Sequence, residues 1–202
     1  MSQKRQEIIM SAAALMHSKG YENTKLSDVL EAAQIGKGQF YHYFSSKHEL
    51  GLAVIDYFYQ NWNRRLVEKI LDSQKEPEIK FDEMLEWVVK KHVSNKAKCG
   101  CIFGNLAIEM SEHDEVFRQK VKAVFEIWVE KLKPILAGMI KAPHCNDPVV
   151  INKLAQGIVA MLEGGILLMK SKQDIEVLTN MTDLIRSLVN SYVHPHGIGE
   201  IG

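Results

Sequence analysis

Apolar residues recur at three- and four-residue intervals along almost the whole chain. Ile8, Ala12, Leu15 and Met16 open the pattern, and Gly20 follows as a helix-ending residue. Leu26, Val29, Leu30 and Ala33 fall on one face of a second helix, with Thr24 as its N-cap. Gly36 interrupts the pattern, where a residue without a β-carbon takes backbone angles that others resist. A short third helix runs from about Lys37 to Phe44, and Ser45-Ser46 stops it. Ser46 and Glu49 have the spacing of a capping box, which starts a fourth helix reaching about Leu71. The polar stretch Asp72–Lys80 holds Pro77 and reads as a loop. Further helices are predicted over about Phe81–Asn95, Gly100–Ser111, Asp114–Ile140, Pro148–Ser171 and Ile175–Tyr192, with Lys141–Pro148 as a loop. There is no strand alternation and no internal repeat, so the predicted fold class is all-α.

Two short helices around a glycine-containing turn, preceded by a third, form a helix-turn-helix unit. Ala32, Ala33 and Ile35 put small or apolar side chains where the helices approach. The run that follows, GKGQFYHYFSSK, is dense in rings. At i, i+4, Phe40 and Phe44 share a face and are expected to pack inward. Tyr41 and Tyr43 point elsewhere, where a phenol can donate to a phosphate. Gln39 and His42 share an outward face suited to base edges, since Gln pairs with adenine and His can donate to guanine. Lys37, Gly38 and Lys47 bracket these positions, and Thr24 and Lys25 stand at a helix N-terminus, which attracts anions. Rings at helical spacing also describe a plain core. The glycine turn and the cap that follows favour a recognition helix entering the major groove.

The stretch GYENTKLSDVLEAAQIGKGQFYHYFSSKHEL, residues 20–50, resembles the N-terminal signature of TetR-type transcriptional regulators. It has a Gly-aromatic pair after helix one, a Thr at helix two, small residues before the turn, a Tyr-His-Tyr-Phe run, a serine pair and Lys-x-x-Leu. The resemblance implies a helix-turn-helix DNA-binding domain at 1–48, a helical ligand-binding and dimerisation domain at 49–193, and a flexible tail at 194–202. It also implies a homodimeric repressor of a palindromic operator in double-stranded DNA. A small, largely apolar effector would release it by moving the two heads out of register. No cofactor is implied.

Composition adds limits. The chain of 202 residues is 46% hydrophobic, enough for a sizeable core. Its 25 Lys and Arg balance 25 Asp and Glu, so DNA affinity must come from a local patch. Within residues 1–50, six cations (Lys4, Arg5, Lys19, Lys25, Lys37, Lys47) face five acids (Glu7, Glu22, Asp28, Glu31, Glu49). A balance of +1 predicts modest non-specific affinity and a shallow salt slope. Three cysteines and no secretory leader fit a reducing cytoplasm, Glu7 breaking the first apolar run. No stretch of about 18 apolar residues suggests a membrane span.

Downstream, Leu154, Ile158, Met161, Leu162 and Leu168, then Leu178, Met181, Leu184, Ile185 and Leu188, make apolar stripes on the last two long helices. Gly157, Gly164 and Gly165 permit close approach, so two such helices from each chain would form a four-helix dimer interface, or else an internal core. Asn105 and Glu109 lie beside the apolar Ile102, Phe103, Leu106 and Met110, as polar groups orienting a ligand in an apolar cavity would. With Trp87, His92, Cys101, Phe125, Trp128 and Met161 they form the candidate effector set. Gly-Cys followed by Asn-Leu-Ala-x-Glu also resembles one branch of TetR-type regulators.

Cys101 begins a predicted helix, where a thiolate is favoured, so redox or electrophile sensing is an alternative. Cys99 and Cys101 with His92 and His113 match no common zinc spacing. No phosphate loop, His-Glu-x-x-His or Gly-x-Ser-x-Gly marks an enzyme. A ligand-binding helical bundle without DNA binding is the rival from another class.

Overall fold

The computed structural model describes residues 2–142 and 145–194. Apart from His194, the tail expected at 194–202 lies outside the described residues. The helices are α1 (Gln3–Lys19), α2 (Leu26–Ala32), α3 (Lys37–Tyr43), α4 (Lys47–Trp62), α5 (Pro77–Ser94), α6 (Ile102–Met110), α7 (Glu115–Met139), α8 (Pro148–Lys172) and α9 (Glu176–Val193). No strand occurs among the described residues, and the all-α class is confirmed. The chain forms two compact units, Met1–Asn63 with Cys101–Val124, and Arg64–Gly100 with Phe125–Gly202.

In the first unit α1 packs against α2 and α4. Its face of Ile8, Ile9, Ala12, Ala13 and Met16 is buried, as the spacing requires. The Ser2 side chain caps its start by accepting the Arg5 N–H at 3.2 Å. At its end Gly20 takes φ +89° and donates its N–H to Met16 O at 3.0 Å. The turn between α2 and α3 departs from the sequence expectation. Gly36 has φ −84° and ψ 163°, an extended conformation open to any residue. The left-handed residue is Gln34, at φ 52°. Its N–H reaches Glu31 O, and that of Ile35 reaches Leu30 O, closing α2. The turn therefore bends two residues earlier than the glycine suggests.

Three further elements differ from their expected form. The long fourth helix is α-helical only to Trp62, and Asn63–Leu71 continues as a π-helix, seen where Asp72 N–H bonds Val67 O at 2.8 Å. Helix α5 begins at Pro77, not near Phe81: proline lacks only an N–H that a first turn leaves unbonded anyway. The capping box at α4 is split. Ser46 Oγ accepts the Glu49 N–H at 3.1 Å, but Glu49 reaches back to Ser45, accepting its N–H and hydroxyl at 2.7 Å each. Those bonds hold the Glu49 carboxyl below its usual range.

The second unit is built around the pair α8 and α9, and α5 packs on α9. Gly165 of α8 lies against Met181, while Leu154 and Gly157 share a groove with Leu188 and Tyr192, so the two helices run antiparallel. Gln173 makes the reversal at φ 53°. A β-carbon on Gly165 would come within 3.0 Å of Met181 Cγ, so this glycine serves packing inside one chain. Arg186 of α9 donates to Asp82 of α5 at 2.9 Å. Trp128 Nε1–H is buried against Met84 Sδ at 3.4 Å. Helix α8 is long and apolar enough by composition to cross a bilayer, but a continuous row from Ile151 to Met169 is buried within the protein.

The turn geometry is testable. Gln34→Gly removes left-handed strain and should stabilise by about 1 kcal/mol. Gly36→Ala sets the entropy gain of a compatible extended angle against the loss of a glycine N-cap and should change stability by no more than about 1 kcal/mol. Denaturant melts of both variants decide it, and a destabilised Gln34→Gly would refute the assignment of the bend.

Candidate nucleic-acid interface

Helix α3 has seven residues, too few to be stable alone. It holds through Phe40 and Phe44, at 0% and 1% exposure, as their i, i+4 spacing predicts. The Arg5 guanidinium carbon stacks 4.6 Å from the Phe44 ring centre, tying α3 to α1. Burying those rings turns the other positions outward. Lys37, Gly38, Gln39, Tyr41 and His42 are exposed, with Tyr41 at 56%, and Tyr43 is half-buried with His42 edge-on at 4.8 Å. A β-carbon on Gly36 or Gly38 would meet nothing within 4 Å, so neither glycine is required by packing.

The flanking candidates divide. Lys25 is exposed at the start of α2, where Asp28 accepts its backbone N–H at 3.0 Å. Asp28 also pairs with Lys19, and that bond is the main reason its carboxyl lies below the usual value. Lys47 is half-buried, with Nζ 4.4 Å above the Tyr21 ring and donating to Glu22 O at 3.3 Å. Thr24 is a correction. It is neither the N-cap of α2, which is Lys25, nor open to a phosphate. Its side chain is fully buried and its hydroxyl donates to Gly20 O at 2.6 Å.

A second set of contacts ties the α1–α2 turn, α4 and the start of α7 together in this unit. His48 Nε2–H donates to Asp114 Oδ2 at 2.7 Å, and the other Asp114 oxygen caps α7 by accepting the Phe117 N–H at 3.0 Å. The His48 and Phe117 rings lie 5.4 Å apart, and Phe117 and Tyr21 4.9 Å. Burial, with Glu22 and Asp114 nearby, pushes the Tyr21 phenol up to about 12. Gly51 must be glycine, because a β-carbon would lie 2.5 Å from Tyr21 and 2.8 Å from Phe117.

The comparisons with known proteins agree with this arrangement. Residues 8–54 match the family model for bacterial regulatory proteins of the tetR family, and residues 77–184 match the C-terminal domain of LmrA/YxaF-like transcriptional regulators. The chain belongs to the TetR family. The HTH-type transcriptional regulator in the lacX 3' region of Lactococcus lactis is 35% identical over 184 residues, 91% of each chain. The HTH-type transcriptional repressor NemR of Escherichia coli is 22% identical over 188 residues, 92% of this chain and 93% of that one. A TetR regulatory protein from Rhodobacter sphaeroides superimposes with a TM-score of 0.80 at 27% identity, covering 91% of this chain and 97% of that one. The protein is thus a DNA-binding transcriptional regulator of the helix-turn-helix type.

The candidate effector residues of this TetR-family regulator fall in both units. Trp87, His92, Phe125, Trp128 and Met161 belong to the second. His92 is 2% exposed with Nδ1 2.8 Å from Val88 O, Trp128 is 4% exposed, and Lys91 Nζ lies 5.2 Å from the half-buried Trp87 ring. Cys101, Phe103, Asn105 and Glu109 belong to the first. Cys101 is the N-cap of α6 and is buried, Phe103 packs edge-on to Trp62 at 6.4 Å, and Asn105 is half-buried. Glu109, also expected at the ligand site, is engaged here by the backbone of the α1–α2 turn. Its Oε2 accepts the Tyr21 N–H at 2.7 Å and the Glu22 N–H at 3.1 Å. The sequence reading also missed His48, Asp114 and Phe117. Asp114 with Phe117 three positions on is an N-cap spacing, the one local signal available.

Acid should loosen this end of the unit. Four interactions hold the Asp114 carboxyl below its ordinary value of 3.8: chiefly the Phe117 N–H, then the His48 hydrogen bond and charge, and last the Val116 N–H. A lowered folded value means its stabilisation is complete above the ordinary value and is lost as pH falls through the folded one. Taking the pH from about 5 to about 3 should therefore lower the melting temperature more for wild type than for Asp114→Asn. Equal slopes would show that the aspartate makes no such contribution.

Proposed function

We propose that the protein is a homodimeric repressor acting in the cytoplasm, each copy reading half of a palindromic operator. On this reading residues 1–48 bind DNA and residues 49–193 bind effector and dimerise. One observation carries the proposal: α3 buries Phe40 and Phe44 and leaves Gln39, Tyr41 and His42 open to solvent. Gln39 and His42 then meet base edges in the major groove. Lys25, Lys37, Tyr41, Tyr43 and Lys47 contact phosphates, and Gly38 lets the DNA backbone approach closely. Thr24 supports this surface from beneath.

Dimerisation is assigned to α8 and α9. Much of each stripe is internal core, with Ile158, Leu162, Leu178 and Ile185 at 0% exposure. Part of what is left outside is apolar too, beside exposed Lys153, Gln156 and Asp183. Leu167, Leu168 and Leu184 are 56%, 49% and 55% exposed, and an open groove of about 330 Å³ lies between Val150, Leu154, Gly157, Leu188 and Tyr192. Around Gly157 and Gly164 there is room for a partner's side chains. An exposed apolar face on two adjacent helices is what a two-fold four-helix interface needs. For the effector, the candidates retained are Trp87, His92, Cys101, Phe103, Asn105, Phe125, Trp128 and Met161, mostly apolar or aromatic, which fits a small, largely apolar ligand.

Selection of bound duplexes from random DNA should return a palindrome with half-sites about one helical turn or a small multiple apart. Gln39→Ala or His42→Ala should relax preference at particular base pairs by roughly 1–3 kcal/mol, while Lys47→Ala should weaken all sequences together. Recovery of no sequence preference would sink the assignment of α3. In sedimentation, Leu168→Glu combined with Leu184→Glu should give a folded monomer. A dimer that survives both charges places the interface elsewhere.

A further inference from the structure

The turn Gly20-Tyr21-Glu22, which joins α1 to α2, has its backbone polar groups bonded from several directions. Gly20 O accepts the Thr24 hydroxyl at 2.6 Å, Tyr21 O the Thr24 N–H at 3.2 Å, and Glu22 O the Lys47 ammonium at 3.3 Å. These partners lie within the first fifty residues. The Tyr21 and Glu22 N–H groups instead go to Glu109, far along the chain on α6. One carboxylate oxygen takes both bonds, at 2.7 and 3.1 Å. The other lies 2.5 Å from where a β-carbon on Gly20 would stand, so glycine at φ +89° is what lets the carboxylate close on the turn.

We propose that Glu109 is a positioning residue for DNA recognition: its carboxylate clasps the Tyr21–Glu22 turn and fixes the orientation of the helix-turn-helix on α6. Two N–H donors on one anionic oxygen form charge-assisted hydrogen bonds, stronger and more directional than neutral ones. They act on the same turn that Lys47 grips through Glu22 O, so the start of α4 and the end of α6 are joined through the two backbone polar groups of one residue, Glu22. Glu109 is half-buried, so solvent screens the bond enough for it to open reversibly. A head without this clasp keeps its core and its recognition helix but is free to tilt. One head on one half-site accommodates tilt by rigid-body adjustment, whereas two linked heads on a palindrome must fit together. The linkage that multiplies their affinity is then reduced.

The inference rests on the proposed dimeric, palindrome-reading function. Its test compares wild type, Glu109→Ala, Glu109→Gln and Glu109→Asp on the selected palindrome and on a duplex with one half-site. Melting temperatures and amide exchange at Tyr21 and Glu22 are measured alongside. Glu109→Ala should lose roughly tenfold or more on the palindrome, part of the roughly 10²–10⁴ that linkage supplies, and stay within about twofold on the half-site. The Tyr21 and Glu22 amides should exchange faster. Glu109→Gln keeps a carbonyl acceptor and should recover most of the palindrome affinity. Glu109→Asp keeps the charge but draws the carboxylate back by about one bond, roughly 1.5 Å, and should weaken the palindrome even if the alanine variant does not fold. Unchanged palindrome binding in both Ala and Asp variants overturns the inference. So does parallel loss on both duplexes with a lower melting temperature, which marks a merely structural cap. A wild type that selects no palindrome sinks the functional reading itself, a result distinct from failure of the clasp.

Discussion

Two phenyl rings anchor the recognition surface. Seven residues of helix cannot repay their own ordering in water, and α3 exists because Phe40 and Phe44 drop into the space beside α1. Each ring buried at 0–1% exposure is a contribution of about 3–5 kcal/mol that truncation would remove. The same burial sets the rotation of the helix. With positions 40 and 44 inward, 38, 39 and 42 must face out, since side chains three and four apart share a face. Local folding and the choice of residues turned outward are therefore a single constraint.

That constraint could be read from sequence because it is local and periodic. The all-α class, the inward pair and the outward Gln39 and His42 all follow from spacings of three and four. What could not be read depends on backbone choices with no side-chain signature. Glycine marks the α2–α3 turn, yet Gln34 takes the left-handed angle while Gly36 sits extended. Pro77 reads as a break from sequence, although proline suits a first turn as well as it suits a loop. Thr24 has the composition of a cap. Its hydroxyl instead turns back to Gly20 O, one of two places a threonine next to a helix start can bond. Glu109 was beyond local reasoning altogether: its partners are 88 and 87 positions away, and its apolar helical neighbours suggested a ligand cavity.

Charge in the first unit is spent locally. Lys4 pairs with Glu7, Lys19 with Asp28, and Lys120 with Asp56, all at partly exposed positions. Surface pairs of this kind contribute about 0–1 kcal/mol each. Their larger effect is on the field. Neutralised cations leave Lys25 and Lys37, with the partly engaged Lys47 and Arg5 stacked on Phe44, as positive groups of this region. A chain with zero formal charge thus carries a small, placed cationic edge, which favours register over general affinity for DNA.

The stripes on α8 and α9 show where periodicity stops discriminating. A helix with apolar residues on more than one side satisfies the same spacing whether the second side meets its own chain or another. Here one stripe holds both buried and exposed positions. Leu162 is at 0% exposure in the hairpin core, while Leu168 on the same helix is 49% exposed. The glycines divide in the same way: Gly165 lies against Met181, and Gly157 and Gly164 face open space. A hairpin that closes its own core and still leaves leucines and glycines outside has more apolar surface than one chain can cover. The remainder is what supports the proposed dimer face, and it comes from burial, which sequence spacing does not contain.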